Sequence, residues 1–375
     1  MNTVQQLAGL GQSIWYDNIE RGLLDNGAMA GMIARGEIRG VTSNPSIFLN
    51  AITKTGDYDA GLLPLIAAGH DAPAIFWELA IEDIRAATDL FRPLYDETNG
   101  GDGYVSLEVN PDLAHDTAAT LAETKTLWRR VDRPNLMIKI PATEAGIPAI
   151  RAAIAAGINV NVTLIFARER YRAVMDAYLS GLEDRVAAGQ PIDGIASVAS
   201  FFVSRVDSNV DKKLQGIIKE GGARAAAAEA LLGRAAIANA RLAYADFRQV
   251  FGDERFARLR AAGGRVQRPL WASTGTKNPA YSDVVYVDEL VGPDTVNTVP
   301  PQTLAALLDH GVARPTLEQH IAEARRVEAE LEGLGISLAE VTADLEREGV
   351  QSFKDAFATL LAAVEERRRS AVAAD

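Results

Sequence analysis

The feature that most constrains this chain is a repeated alternation of short apolar or β-branched runs with longer segments of helical periodicity. Runs suited to strands lie at Ser13–Asp17, Gly40–Thr42, Tyr104–Val109, Leu136–Ile140, Asn159–Thr163, Gly194–Ala199, Pro269–Ser273 and Thr295–Thr298. Between them, segments such as AIFWELAIEDIRAATDLFRPLY and SVASFFVSRVDSNVDKKLQG place apolar residues at the period of an amphipathic helix. Eight strand–helix units in succession predict an α/β chain of parallel strands and crossover helices, a (β/α)8 TIM barrel. A doubly wound nucleotide-binding sheet needs a glycine-rich turn after an early strand, whereas GLGQS precedes the first one here. The stretch from about Leu49 to Thr98 predicts extra helices between strands two and three. From about Pro315 the chain reads as helical, a C-terminal extension packed on the barrel. No linker sets it apart, so 1–375 reads as one domain.

Charge and composition narrow the function. Lys and Arg number 38 against 50 Asp and Glu, a net charge of −12, which argues against nucleic-acid partners. A local basic pocket for small anions is still compatible with that balance. There is no cysteine, so disulfides, thiolate nucleophiles and cysteine-ligated zinc are excluded. The four histidines, His70, His115, His310 and His320, are scattered, and no metal site is expected. The N-terminus lacks a basic segment followed by an apolar run, and no stretch of about 18 uncharged apolar residues occurs. The expectation is a cytoplasmic protein with no membrane partner. A homo-oligomer is left open.

In a barrel of this kind reacting groups sit at the carboxyl ends of the strands. The polar residues that end or interrupt the predicted strands are Asp17, Thr42 with Asn44, Ser106 with Glu108, Lys139, Asn161 with Thr163, Ser200 with Arg205, and Ser273 with Lys277. Lys139 stands out, because it sits in NLMIKIPAT among apolar neighbours in a chain with eight lysines and thirty arginines. Burial disfavours an ammonium and favours the neutral amine that attacks carbonyls, and arginine has no such form. A lysine paired with a buried carboxylate fits the same pattern equally well. Asp17 and Glu108 supply two acids for proton transfer. Asp17 also suits a helix N-cap before NIERGLL, and Glu108 an ion pair with Lys139.

Asn44 precedes Pro45, which biases it to an extended backbone; a turn role is the plain alternative. Asn159, Asn161 and Thr163 share one strand face, where amides need hydrogen-bond partners. Arg205 and Lys277 follow late strands, beside Ser200 and the loop STGTKN, and barrels often bind phosphate there. Each cation alone also fits a solvated surface charge. The pair Lys212–Lys213 has that reading too.

Four segments in order, GVTSNPSIF at 40–48, NLMIKIPATEAGIPAI at 135–150, NVNVTLIF at 159–166 and ASFFVSRVD at 199–207, resemble the transaldolase family. The long tail and the 49–98 stretch resemble its longer bacterial branch. The resemblance implies a barrel that moves a dihydroxyacetone unit from a ketose phosphate to an aldose phosphate without a cofactor. It implies Lys139 as the imine-forming lysine, Asp17 as the acid/base for the donor's C4 hydroxyl, and Glu108 with Thr163 as holders of a water used in imine formation. Asn44, Ser106, Asn161 and Ser200 match residues lining the three-carbon unit, and Arg205 matches a phosphate-binding arginine. After strand seven the family often has arginine, where Lys277 stands beside Ser273. Thr42 belongs to the first motif. The rivals are an aldolase of the same imine chemistry, whose relatives usually lack the acid of strand one, and a non-catalytic barrel that only binds.

Overall fold

The computed structural model describes residues 1–374; Asp375, the last residue of the single-domain reading, lies outside them. Among the described residues, seven strands form one sheet: β1 Gln12–Tyr16, β2 Val105–Glu108, β3 Leu136–Pro141, β4 Val160–Ile165, β5 Ser197–Phe202, β6 Gln267–Ala272 and β7 Thr295–Val299. Their order is β1-β7-β6-β5-β4-β3-β2 and every neighbouring pair is parallel. All but one of the strand residues are buried, as expected where helices cover one face of a curled parallel sheet and side chains fill the other.

The expected second strand, Gly40–Thr42, is present only as a one-residue bridge. Val41 pairs in parallel with Tyr16 of β1 and with Val105 of β2, the two edges of the sheet. Tyr16 donates its N–H to Gly40 O at 2.8 Å and Thr42 to Tyr16 O at 3.0 Å, while Val41 donates to Tyr104 O at 2.9 Å. The segment cannot extend into a longer strand, because Asn44 already caps a helix that begins at Pro45. Gly40 is required at this approach: a Cβ there would lie 2.7 Å from the Trp15 ring.

Between Val41 and β2 lie the helices Pro45–Lys54, Asp59–Ala67 and Ala72–Glu97. The longest is capped by Asp71, whose carboxylate accepts from Ala74 N–H at 2.9 Å. The tail is not helical throughout: residues 311–320 are irregular before the helices Ile321–Gly333 and Leu338–Ala374. That last helix runs against Pro45–Lys54 and Ala72–Glu97. Phe357 meets Phe76 at a centroid distance of 5.4 Å, and Phe76 meets Phe48 at 5.7 Å, both edge to face. Where the helix crosses β4 it approaches closely at Gly349, where a Cβ would stand 3.0 Å from Leu164 Cδ2. Leu164 itself has φ 58°, at an irregularity in the pairing of β4 with β5.

Polar groups inside the amino end of the sheet are tied to one another. Asp102 accepts from Ser13 Oγ at 2.6 Å, Trp15 Nε1 at 3.0 Å and Arg39 Nε at 2.7 Å. Asn159 donates to Pro134 O at 2.9 Å and Leu136 O at 3.2 Å, and accepts from Ala196 N–H at 2.9 Å. It is therefore a structural tie, apart from Asn161 and Thr163 further along the same face.

Candidate active site

The carboxyl ends of the strands surround a cavity of about 180 Å³. It is lined by Asp17, Thr42, Asn44, Lys139, Ser200, Arg205, Ser273 and Lys277, eight of the twelve residues singled out in the sequence. The other four, Ser106, Glu108, Asn161 and Thr163, are buried and do not line it. Register explains the layering: Glu108 of β2 pairs with Lys139 of β3, and Lys139 with Asn161 of β4, so the three stand level on adjacent strands.

Lys139 is 4 % exposed. Its Nζ donates to Ser43 O at 3.1 Å and lies 3.5 Å from Glu108 Oε2. This is the pairing with a buried carboxylate considered for Lys139, and it also puts that carboxyl near the amine's protons. Burial pushes the Glu108 carboxyl up to about 7, against the pull of Lys139, with a further push from Asp17. Among the described residues Glu108 Oε2 and Thr163 Oγ1 are buried with no hydrogen-bond partner.

Asp17 is not the helix cap that its position before NIERGLL allowed; the next helix, Arg21–Asp25, is preceded by Glu20 at the cap position. Instead its carboxylate accepts from Thr42 Oγ1 at 2.7 Å, and Thr42 Oγ1 lies 2.6 Å from Thr298 Oγ1. Burial raises the Asp17 carboxyl above the usual range, while Lys139, Thr42 and Lys277 act in the opposite direction. Two acids therefore flank one lysine, each held toward its protonated form by burial.

Asn44 has the extended backbone expected before Pro45 and caps a helix where a turn was the alternative. Its Oδ1 accepts from Ile47 N–H at 3.0 Å as the N-cap, and the residue also borders the cavity. Asn161 donates to Ser106 Oγ at 3.0 Å and accepts from Ser200 Oγ at 2.7 Å, a chain that spans β2, β4 and β5 beside Lys139. It satisfies a buried amide that would otherwise be costly.

The cations lie on the outer side. Arg205 occupies the first turn of the helix Ser204–Glu220, with its guanidinium 5.6 Å from the Phe202 ring centroid. Burial holds its pKa below the usual value, against the pull of Glu348. Ser273, with φ 53°, faces Ser204 across 3.0 Å between hydroxyls. Lys277 is exposed on the loop after β6. That loop is fastened by Tyr281, whose hydroxyl donates to Asp211 at 2.7 Å. Lys212, read as a surface charge, borders a neighbouring cavity together with Lys277.

Sequence reasoning missed Ser46, Phe202, Thr298, Pro300 and Phe353 on the cavity wall. Ser46 and Phe202 lie inside the quoted motifs and were open to notice. Phe353 belongs to the C-terminal helix, where Val350, Phe353, Phe357, Leu360 and Val364 make a buried stripe at helical spacing. The stripe announces packing without naming the surface it meets.

A larger groove of about 430 Å³ lies outside the barrel mouth, beside the start of the helix Arg168–Ala187. Its arginines are paired, Arg168 with Asp246 at 2.9 Å and Arg170 with Glu346 at 3.2 Å. Among the described residues no group of three or more His, Cys, Asp or Glu side chains is arranged to hold a metal ion. No described helix is long and apolar enough to cross a membrane.

Comparison with known proteins points the same way. A transaldolase of Saccharopolyspora erythraea is 51 % identical over 367 residues, covering 98 % of both chains. Transaldolase 1 of Streptomyces avermitilis is 53 % identical over 367 residues, 97 % of this chain and 96 % of that one. A transaldolase of Mycolicibacterium smegmatis is 50 % identical over 360 residues, 96 % and 95 % of the two chains. Residues 14–364 match the transaldolase/fructose-6-phosphate aldolase family. With a match that covers the whole cavity wall and all of the sheet but the first two residues of β1, the chain is an enzyme that belongs to this family.

Proposed function

We propose that this enzyme transfers a dihydroxyacetone unit from a ketose phosphate, sedoheptulose 7-phosphate or fructose 6-phosphate, to an aldose phosphate, glyceraldehyde 3-phosphate or erythrose 4-phosphate. The observation that carries this reading is Lys139 Nζ on the cavity wall, 3.5 Å from Glu108, in a cavity that also holds the Asp17 carboxyl. We count the Val41 bridge as the eighth stave and read the fold as a (β/α)8 barrel, one domain with the tail packed on it; the pairing of Val41 with both sheet edges supports this. The enzyme works in the cytoplasm, in the non-oxidative pentose phosphate pathway, with no cofactor.

Each step is assigned to a group on or beside the cavity wall. Lys139 gives a proton to Glu108, whose pKa of about 7 suits it to take and return one near neutral pH. The neutral amine adds to the ketose C2 carbonyl, and Glu108 returns the proton as water leaves and the iminium forms. A water shared by Glu108 Oε2 and Thr163 Oγ1 would satisfy both and carry that proton. The iminium draws electrons from the C3–C4 bond while Asp17 takes the C4 hydroxyl proton. The aldehyde leaves and a three-carbon enamine stays on Lys139. Asn44, Ser106, Asn161 and Ser200 hold its hydroxyls, and Arg205 with Ser273 and Lys277 holds the phosphate. An acceptor aldehyde then adds in reverse.

Borohydride reduction in the presence of fructose 6-phosphate tests the lysine. Lys139 should gain the mass of a reduced three-carbon adduct, and Lys139→Ala should gain none. No adduct on a folded wild-type enzyme, or an adduct that survives in the variant, refutes the assignment. The position of Asp17 against Thr42 supports transfer over aldol release; free dihydroxyacetone accumulating at turnover rates without acceptor would reverse that preference.

A further inference from the structure

We propose that Phe353 decides whether the three-carbon intermediate is transferred or released, by roofing Lys139 against water. The inference rests on the imine reading above. The Phe353 ring centroid lies 5.8 Å from Lys139 Nζ, and the ring borders the same cavity as Asp17 and Arg205. It is 4 % exposed. An intermediate bonded to Nζ is therefore held between β3 and an aromatic face supplied by the far end of the chain.

The ring is fixed from both sides along its own helix. One turn later Phe357 is locked edge to face on Phe76 at 5.4 Å. One turn earlier Gly349 lets the helix close onto Leu164 and Phe166. A side chain held in this way excludes water without offering a proton, and its π face attracts the iminium cation at Lys139.

Once C3–C4 has broken, the electron pair of that bond resides in the enamine. In one course C3 takes a proton from water, hydroxide adds at C2, and the C2–N bond breaks. Dihydroxyacetone is then released, the lysine amine is restored, and one water is consumed. In the other course the pair forms a new C–C bond to the acceptor aldehyde, whose oxygen takes the proton held by Asp17. Only the first course needs water at C3, and the ring occupies the approach to it.

The test compares Phe353→Ala and Phe353→Leu with wild type, using fructose 6-phosphate with and without an aldose phosphate acceptor. Released dihydroxyacetone and transferred product are quantified in one reaction. The ratio of release to transfer should rise by about tenfold or more in F353A, with a smaller rise in F353L, while the borohydride adduct still forms. Gln351→Ala, exposed on the same helix, should leave the ratio at the wild-type value. An unchanged ratio in a folded F353A that still forms the adduct overturns the proposal. If F353A does not fold, F353L and Phe353→Met carry the test, and wild-type ratios in both overturn it equally. A wild-type enzyme that neither traps the adduct nor transfers would instead refute the imine reading, a result distinct from an unchanged partition.

Discussion

Replacing Glu108 by Gln removes a charge while keeping shape and a hydrogen-bond acceptor. The native carboxyl sits at about 7 rather than 4.5, chiefly because burial penalises its charged form. At about 1.4 kcal/mol per pH unit, that displacement is worth roughly 3 kcal/mol. The folded chain keeps a proton that the unfolded chain loses, so this contribution to stability is full below pH 4.5 and is lost as pH rises through about 7. Glu108→Gln should abolish that slope: its stability relative to wild type should improve between mildly acidic and neutral pH. The same substitution removes the proton acceptor of Lys139. Imine formation, followed by borohydride trapping and mass spectrometry, should be slower by roughly 100-fold to 10,000-fold. In wild type the trapping rate should climb with pH through about 7, as the carboxylate form appears. In the variant that rise should be absent. A variant that traps at the wild-type rate, or keeps the limb near 7, would show that Glu108 does not take the lysine's proton.

Three further outcomes are expected. Asp17→Asn should keep the borohydride adduct with dihydroxyacetone yet lower transfer roughly 100-fold to 10,000-fold, separating imine formation from bond cleavage; equal losses of both would contradict its assigned step. Thr42→Val removes the 2.7 Å hydrogen bond to Asp17, which lowers the carboxyl's pKa, so the acidic limb of the transfer rate should move to higher pH. Tyr281→Phe releases the loop that carries Lys277, so KM for phosphorylated donors should rise several-fold with kcat nearly unchanged, the loss of about one hydrogen bond's worth of binding. A matching KM rise for unphosphorylated dihydroxyacetone would place the effect elsewhere.

Most strands were legible because alternation between strand-length apolar runs and helical periods needs only local pattern. Their ends were less so. The fifth strand, Ser197–Phe202, begins three residues later than the Gly194 expected for it, because IASVASFF carries only two small serines among apolar residues and marks no edge. Gly40–Thr42 has the composition of a strand, yet its length is set by Pro45 and by the two sheet edges that share Val41.

The sequence by itself determined the cast of the candidate site: a lysine among apolar residues, two acids, a row of amides and hydroxyls, and late cations. It determined these because each lies in a strand or within a few residues of the carboxyl end of one, and such ends converge when parallel strands curl into one sheet. What it left open was whether Asp17 caps a helix or faces the cavity, and whether Glu108 comes within reach of Lys139. Those depend on register and burial: the level pairing of Glu108, Lys139 and Asn161, and Thr42 reaching Asp17 from another segment. The roof over Lys139 lay furthest from view. Phe353 reaches it through the packing of a remote amphipathic helix, and a buried stripe specifies that it must be covered, while only the assembled surface decides what it covers.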